Sequence, residues 1–205
     1  MQIAATRTPV STEEMGETFL DLVSGLTRDS LRILLAHWAS ETGWGSKMMN
    51  FNVGNSKSAG KSGNWTFFRC SEVVDRATAE KMIAEDSRVT LKKDGGGSKV
   101  EIWINPDHPW SCFQAYASLT DGVRAYLGMM KSSFPLSWEK LLQGDVGSFV
   151  ATLKKERYFT ATLAAYQKLF DGVLAMVEDR APIALASAPL GGDGPLPDPA
   201  VPRFH

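Results

Sequence analysis

Two cysteines in a chain of 205 residues, Cys70 and Cys112, are too few to build a fold on disulfides, and their spacing fits no zinc pattern. They read as packed or free thiols, with a single bridge as the other reading. Histidine is nearly as scarce. His37, His108 and His205 are not spaced for zinc, so no metal site is expected and no cofactor is called for. Excess charge is missing too: 22 Lys and Arg stand against 23 Asp and Glu, and a formal charge of -1 gives nucleic acid or an anionic membrane no field to follow. No window approaches the roughly 20 apolar residues of a membrane helix, and even Leu31 to Ala39 is interrupted by Arg32 and His37. Met1 to Arg7, followed by Thr8, Pro9 and Ser11, also lacks the apolar stretch of roughly 7 to 15 residues that a Sec signal needs.

Proline is unevenly placed. Of ten prolines, Pro182, Pro189, Pro195, Pro197, Pro199 and Pro202 all follow Arg180, and a Gly191-Gly192-Asp193-Gly194 run lies among them. The composition divides the chain into a domain over 1–180 and a Pro/Gly-rich tail over 181–205, read as disordered or as a linker that docks on a partner. Setting aside Arg203, Asp193 and Asp198 of that tail leaves a body without net charge.

Within the body, Ser11 and Glu14 form a capping box ahead of Met15, Phe19, Leu22 and Val23, which predicts a helix ending at Gly25. Thr27 or Asp29 caps a second helix, in which Leu31, Leu34, Leu35 and Trp38 form one stripe up to Gly43. The Gly, Ser, Lys and Asn content of 46–64 reads as loop. Trp65 to Val73 and Val100 to Ile104 read as strands, with a helix over 77–85 and a turn at Asp94-Gly95-Gly96-Gly97 between them. Helices are expected again over 119–131, 137–143, 146–155 and 161–178. The class is α+β, mainly α, with a small β element inserted after the second helix.

Glu41 lies on the stripe of the second helix, seven residues after Leu34, four after His37 and three after Trp38. Burial and the negative end of the helix dipole both disfavour its charged form, so its pKa should rise and the carboxyl could donate a proton near neutral pH. The competing reading is a solvated acid at a frayed helix end.

Ala36-His37-Trp38-Ala39-Ser40-Glu41-Thr42-Gly43-Trp44-Gly45, followed by Asn50-Phe51-Asn52-Val53-Gly54-Asn55, resembles the hallmark of glycoside hydrolase family 73, the peptidoglycan N-acetylglucosaminidases that include the flagellar rod-cap type. Trp65 to Val73, with Glu72, is similar to the family's first hairpin strand. Phe113-Gln114-Ala115-Tyr116-Ala117-Ser118 is similar to its F-R-x-Y-x-S stretch, and Arg157-Tyr158-Phe159-Thr160-Ala161 with Tyr166 to its cleft-tyrosine segment. The chain departs from the family pattern at Ser40 (usually Leu), at Val53 (aromatic or Ala) and at Arg157 (Gly). Its 74–99 stretch is longer than a simple hairpin.

The resemblance implies a lysozyme-like helical domain with a β-hairpin lobe flanking a cleft, and cleavage of the β-1,4 bonds of peptidoglycan glycan strands. It implies Glu41 as the catalytic acid and Glu72 as a second acid, with Asp75 or Glu101 as alternatives for that second place. Tyr158 and Tyr166 would belong to the substrate cleft, and Trp44, Asn52 and Asn55 would line it or support the acid's loop. The second step falls either to Glu72 activating water or to the substrate's own N-acetyl group. Muramidase, lytic transglycosylase and a non-catalytic wall-binding or assembly protein are the alternative functions. Without a Sec signal, such a protein is expected to reach the wall by a phage-like particle, a secretion apparatus or lysis.

Overall fold

The computed structural model describes residues 1–58 and 63–190, and the fold is mixed, about 51% helical and 16% strand. Helix α1 (Thr12–Leu22) starts where the Ser11 hydroxyl accepts from the Glu14 N–H at 3.1 Å. Helix α2 (Arg28–Thr42) starts where Thr27 accepts from the Ser30 N–H at 3.2 Å. Each side chain satisfies an amide that the first helical turn leaves without a partner.

The second helix is more deeply buried than one apolar stripe requires. Leu31, Ile33, Leu34, Leu35, Ala36, His37, Trp38 and Ala39 are all buried, since α2 runs through the middle of the helical core. Around it pack α1, α5 (Pro135–Leu142), α7 (Leu163–Leu174), α8 (Val177–Arg180) and α9 (Pro182–Ser187), while α4 (Leu119–Ser133) and α6 (Val146–Lys155) add Tyr126, Met130, Phe149 and Leu153 to the same core. Each fully buried Leu or Phe contributes roughly 1.5 to 3 kcal/mol, so the end of α2 is held by a well-packed scaffold.

The β element consists of two sheets. Strand β1 (Asn64–Phe67) pairs antiparallel with β5 (Cys112–Ala115). Strand β2 (Cys70–Asp75) pairs with β4 (Lys99–Ile104), which also pairs with β3 (Val89–Asp94). The single strand read from Trp65 to Val73 is thus two strands, divided at Phe68-Arg69, with different partners. Helix α3 (Arg76–Glu85) joins β2 to β3, and Ala79 packs with Val89, Val100, Ile102 and Ile104 in a second small core. Cys70 and Cys112 are free thiols.

Two further differences lie at the end of the chain. The helix expected over 161–178 begins at Leu163, capped by Thr162, and breaks at Ala175-Met176 before α8. Beyond Arg180, where no helical period is visible, Pro182 opens the short helix α9. Its first amides lack a local side-chain cap, and the Glu13 carboxylate of α1 accepts from Ile183 N–H at 3.0 Å and from Ala184 N–H at 2.9 Å. The two helices meet so closely that a Cβ on Gly16 would stand 2.6 Å from the Ala184 Cβ. Residues 181–190 are therefore packed against the body rather than extended from it, and the tail reading for 191–205 falls outside the described residues.

Candidate functional site

Glu41 occupies the last turn of α2, and its carboxyl is partly buried. Burial raises its pKa, and a hydrogen bond from the Tyr158 hydroxyl opposes that rise. Tyr158 follows α6 through Arg157, whose φ of 63° puts it in the left-handed region. Glycine adopts that conformation freely and arginine only at a cost, so the position calls for the turn whichever residue fills it. The turn is closed by Tyr158 N–H donating to Leu153 O at 2.9 Å. The ring then lies 4.8 Å from His37 and packs edge-on against Phe134 at 4.9 Å.

Two more phenols complete the surroundings of the acid. Tyr126 of α4 shares a hydrogen bond of 2.5 Å with His37 Nδ1. Tyr166 of α7 stacks on Phe159 with ring centroids 3.8 Å apart, and its buried hydroxyl has no partner among the described residues. Burial is the first cause that raises the pKa of Tyr126, Tyr158 and Tyr166, and the charge of Glu41 is the second. All three stay protonated, so each keeps a hydroxyl that can donate. His37 is fully enclosed and burial pushes its pKa down to about 3, so it is neutral, and its Nε2 has no partner among the described residues. Neither Tyr126 nor the His37 pairing was singled out from sequence. Tyr126 reads there as one more apolar position of α4, and only the packing of α4 against α2 reveals it.

The Gly43-Trp44-Gly45 turn works by backbone conformation. The three residues have φ of 58°, 60° and 75°, all left-handed. A Cβ on Gly45 would stand 2.5 Å from Val10 O and 2.9 Å from Trp38 Cζ2, so this close approach admits only glycine. Thr42 fixes the turn, donating to Trp38 O at 2.7 Å and accepting from Gly45 N–H at 3.0 Å. Trp44 packs half-buried against the core with the Arg180 guanidinium 4.3 Å from its ring. It supports the turn that ends α2.

The Asn segment is likewise a loop device. Asn52 is buried and uses both ends of its amide on Ser56, donating to its carbonyl at 2.9 Å and accepting from its N–H at 2.8 Å. Asn50, left-handed at φ 46°, holds the N-terminal segment, accepting from Thr6 N–H at 3.1 Å and donating to Ala4 O at 3.0 Å. Asn55 is exposed and left-handed at φ 52°.

The second acid, Glu72, lies on β2 of the β element. Glu72 is paired with Lys57 at 3.0 Å and is not among the influences on the Glu41 carboxyl. Glu72 and Lys57, with Pro109 and Trp110, line a cleft of about 350 Å³. Glu101 pairs across the sheet with Val73, the neighbour of Glu72, so the two acids point to opposite faces. There Glu101 is bound to Lys92 at 2.6 Å and Ser71 at 2.9 Å. Asp75 is exposed at the junction of β2 and α3. The structure therefore brings Tyr158 to Glu41, puts Glu72 in a cleft with Lys57, Pro109 and Trp110, and gives Trp44 and Asn52 supporting roles.

Among the described residues, no helix is long and apolar enough to cross a membrane, and no three His, Cys, Asp or Glu side chains gather to hold a metal ion. No protein-family model, curated protein or solved structure matches the chain.

Proposed function

We propose that the protein cleaves β-1,4 glycosidic bonds of peptidoglycan glycan strands as an endo-N-acetylglucosaminidase, on a lysozyme-like helical domain with a β lobe. The observation that carries this reading is the Glu41 carboxyl, raised in pKa by burial and hydrogen-bonded by Tyr158 at the end of a rigid helix. Glycosidic cleavage needs a proton on the leaving oxygen, and a carboxyl with a raised pKa keeps that proton to higher pH than an ordinary one. As Glu41 ionises, the Tyr158 hydroxyl stabilises the carboxylate that remains.

An inverting pair of carboxyls needs room for one water, a separation of roughly 6.5 to 9.5 Å. Glu72 is held by Lys57 at 3.0 Å, an ion pair that a carboxylate activating water would have to give up. We therefore assign the second half of the reaction to the substrate's own N-acetyl oxygen, which meets the developing positive charge at the anomeric carbon, with water opening the resulting ring. The same lone acid also suits a lytic transglycosylase, in which a sugar hydroxyl takes the place of water. Digesting purified sacculi and reading the new ends by mass spectrometry separates the readings. Reducing GlcNAc ends are expected; anhydro ends would indicate the transglycosylase, and reducing MurNAc ends a muramidase.

A further inference from the structure

The cleft of Lys57, Glu72, Pro109 and Trp110 is not used by the Glu41 chemistry, yet it has the elements of a recognition site. Its charged pair is well fixed. Lys57 Nζ donates to Glu72 Oε1 at 3.0 Å, to Trp110 O at 2.5 Å and, weakly, to Cys70 Sγ at 3.7 Å, and sits 4.1 Å from the centre of the Phe113 ring. Only one oxygen of Glu72 is engaged among the described residues, so Oε2 can accept from a second cation. The indole of Trp110 is 45% exposed, a large fraction for a residue of that size, and Pro109 extends its apolar surface. The cleft thus presents one cation, one anion and an aromatic platform side by side, with no net charge.

We propose that this cleft binds an amino-acid head group, an ammonium and a carboxylate on one carbon, carried on an alkyl chain. The ammonium meets Glu72 Oε2 and the face of Trp110, the carboxylate takes the Lys57 donor now spent on the weak Cys70 Sγ contact, and the chain lies over Pro109. If the protein acts on peptidoglycan, a reading on which this identification rests, the ligand is the distal end of a diaminopimelate residue in a peptide stem. Glu72 is then a specificity residue for peptide-bearing strands.

The test is calorimetric titration of the full chain with a synthetic stem tripeptide ending in meso-diaminopimelate, and with the same peptide ending in lysine. Wild type should bind the first peptide at least about tenfold more tightly than the second, which lacks the distal carboxylate. Glu72→Gln and Trp110→Ala should each weaken the first peptide about tenfold, with thermal melting unchanged for Glu72→Gln. Equal affinity for both peptides, undiminished binding by Glu72→Gln, or no binding by wild type would overturn the proposal. Sacculus digestion run in parallel keeps the two readings separable. Binding without muropeptide release removes the hydrolase, and release without binding removes the stem site.

Discussion

The hydroxyl of Tyr158 donates to the carboxyl of Glu41, and the ring that carries it rests on His37, one helical turn before the acid. This hydrogen bond favours the ionised carboxylate, against the burial that disfavours it. Tyr158→Phe removes the lowering influence, so the Glu41 pKa rises further. A general acid works only while protonated, and the alkaline limb of the pH–rate profile should move to higher pH in the variant. An unmoved limb would show that Tyr158 does not act on the carboxyl, and a shift to lower pH that it acts in the opposite sense.

His37 adds a pH dependence of stability. Its folded pKa of about 3 lies below the ordinary 6.5, so the stability of the neutral form is fully present above pH 6.5 and is lost as pH falls towards 3. Glu41 acts in the opposite sense. Its raised pKa contributes stability at low pH that disappears as pH rises through the folded value. Denaturant titrations at several pH values should give a smaller acid-side loss for His37→Phe than for wild type. At neutral pH the variant should be less stable by about 1 to 3 kcal/mol, because the buried Tyr126 hydroxyl loses its partner. Parallel curves for the two proteins would place the acid-side loss elsewhere.

Gly45 is the tightest point of the turn that ends α2, left-handed at φ 75° and against Val10 O. Gly45→Ala should cost roughly 2 to 4 kcal/mol, from backbone strain and the displaced contact together. Asn52→Ala, which breaks only the clamp on Ser56, should cost about 1 to 2 kcal/mol. Chemical denaturation checks both, and a Gly45→Ala protein as stable as wild type would contradict the packing described.

Glu13 supplies the cap that α9 lacks locally. Glu13→Ala should destabilise the chain by about 1 kcal/mol and speed amide exchange at Ile183 and Ala184 ahead of the core. Unchanged exchange at those two amides would mean that the helix holds without it.

The sequence signals that matched the structure are those in which one residue type has one physical use. Ser11 and Thr27 cap α1 and α2, and the bounds expected for α6, Val146 and Lys155, are those observed. Helix spacing puts Glu41 on the stripe of α2, and the resemblance of the motif around it, rather than the spacing, implied its role. Signals failed where distant chain decides the outcome. Strand β3 runs Val89-Thr90-Leu91-Lys92-Lys93-Asp94, and all but its first residue are exposed, so it shows no alternation to read. It is an edge strand, and its lysines suit an edge. Helix α9 needs Glu13, 170 residues earlier, to complete its start. The Lys57–Glu72 pair joins a loop to β2, so no local pattern announces it. Glu72, which the resemblance implied as a second acid, is in the fold tied to that lysine.

The most direct test of the central claim is muropeptide release from purified sacculi by wild type and Glu41→Gln, with thermal melting of both at neutral pH. Removing the general acid should lower release by about 10² to 10⁴-fold, and the variant should melt no lower than wild type, because a carboxylate disfavoured by burial has been replaced by a neutral amide. Release by Glu41→Gln at the wild-type rate, or none by wild type, would contradict the account.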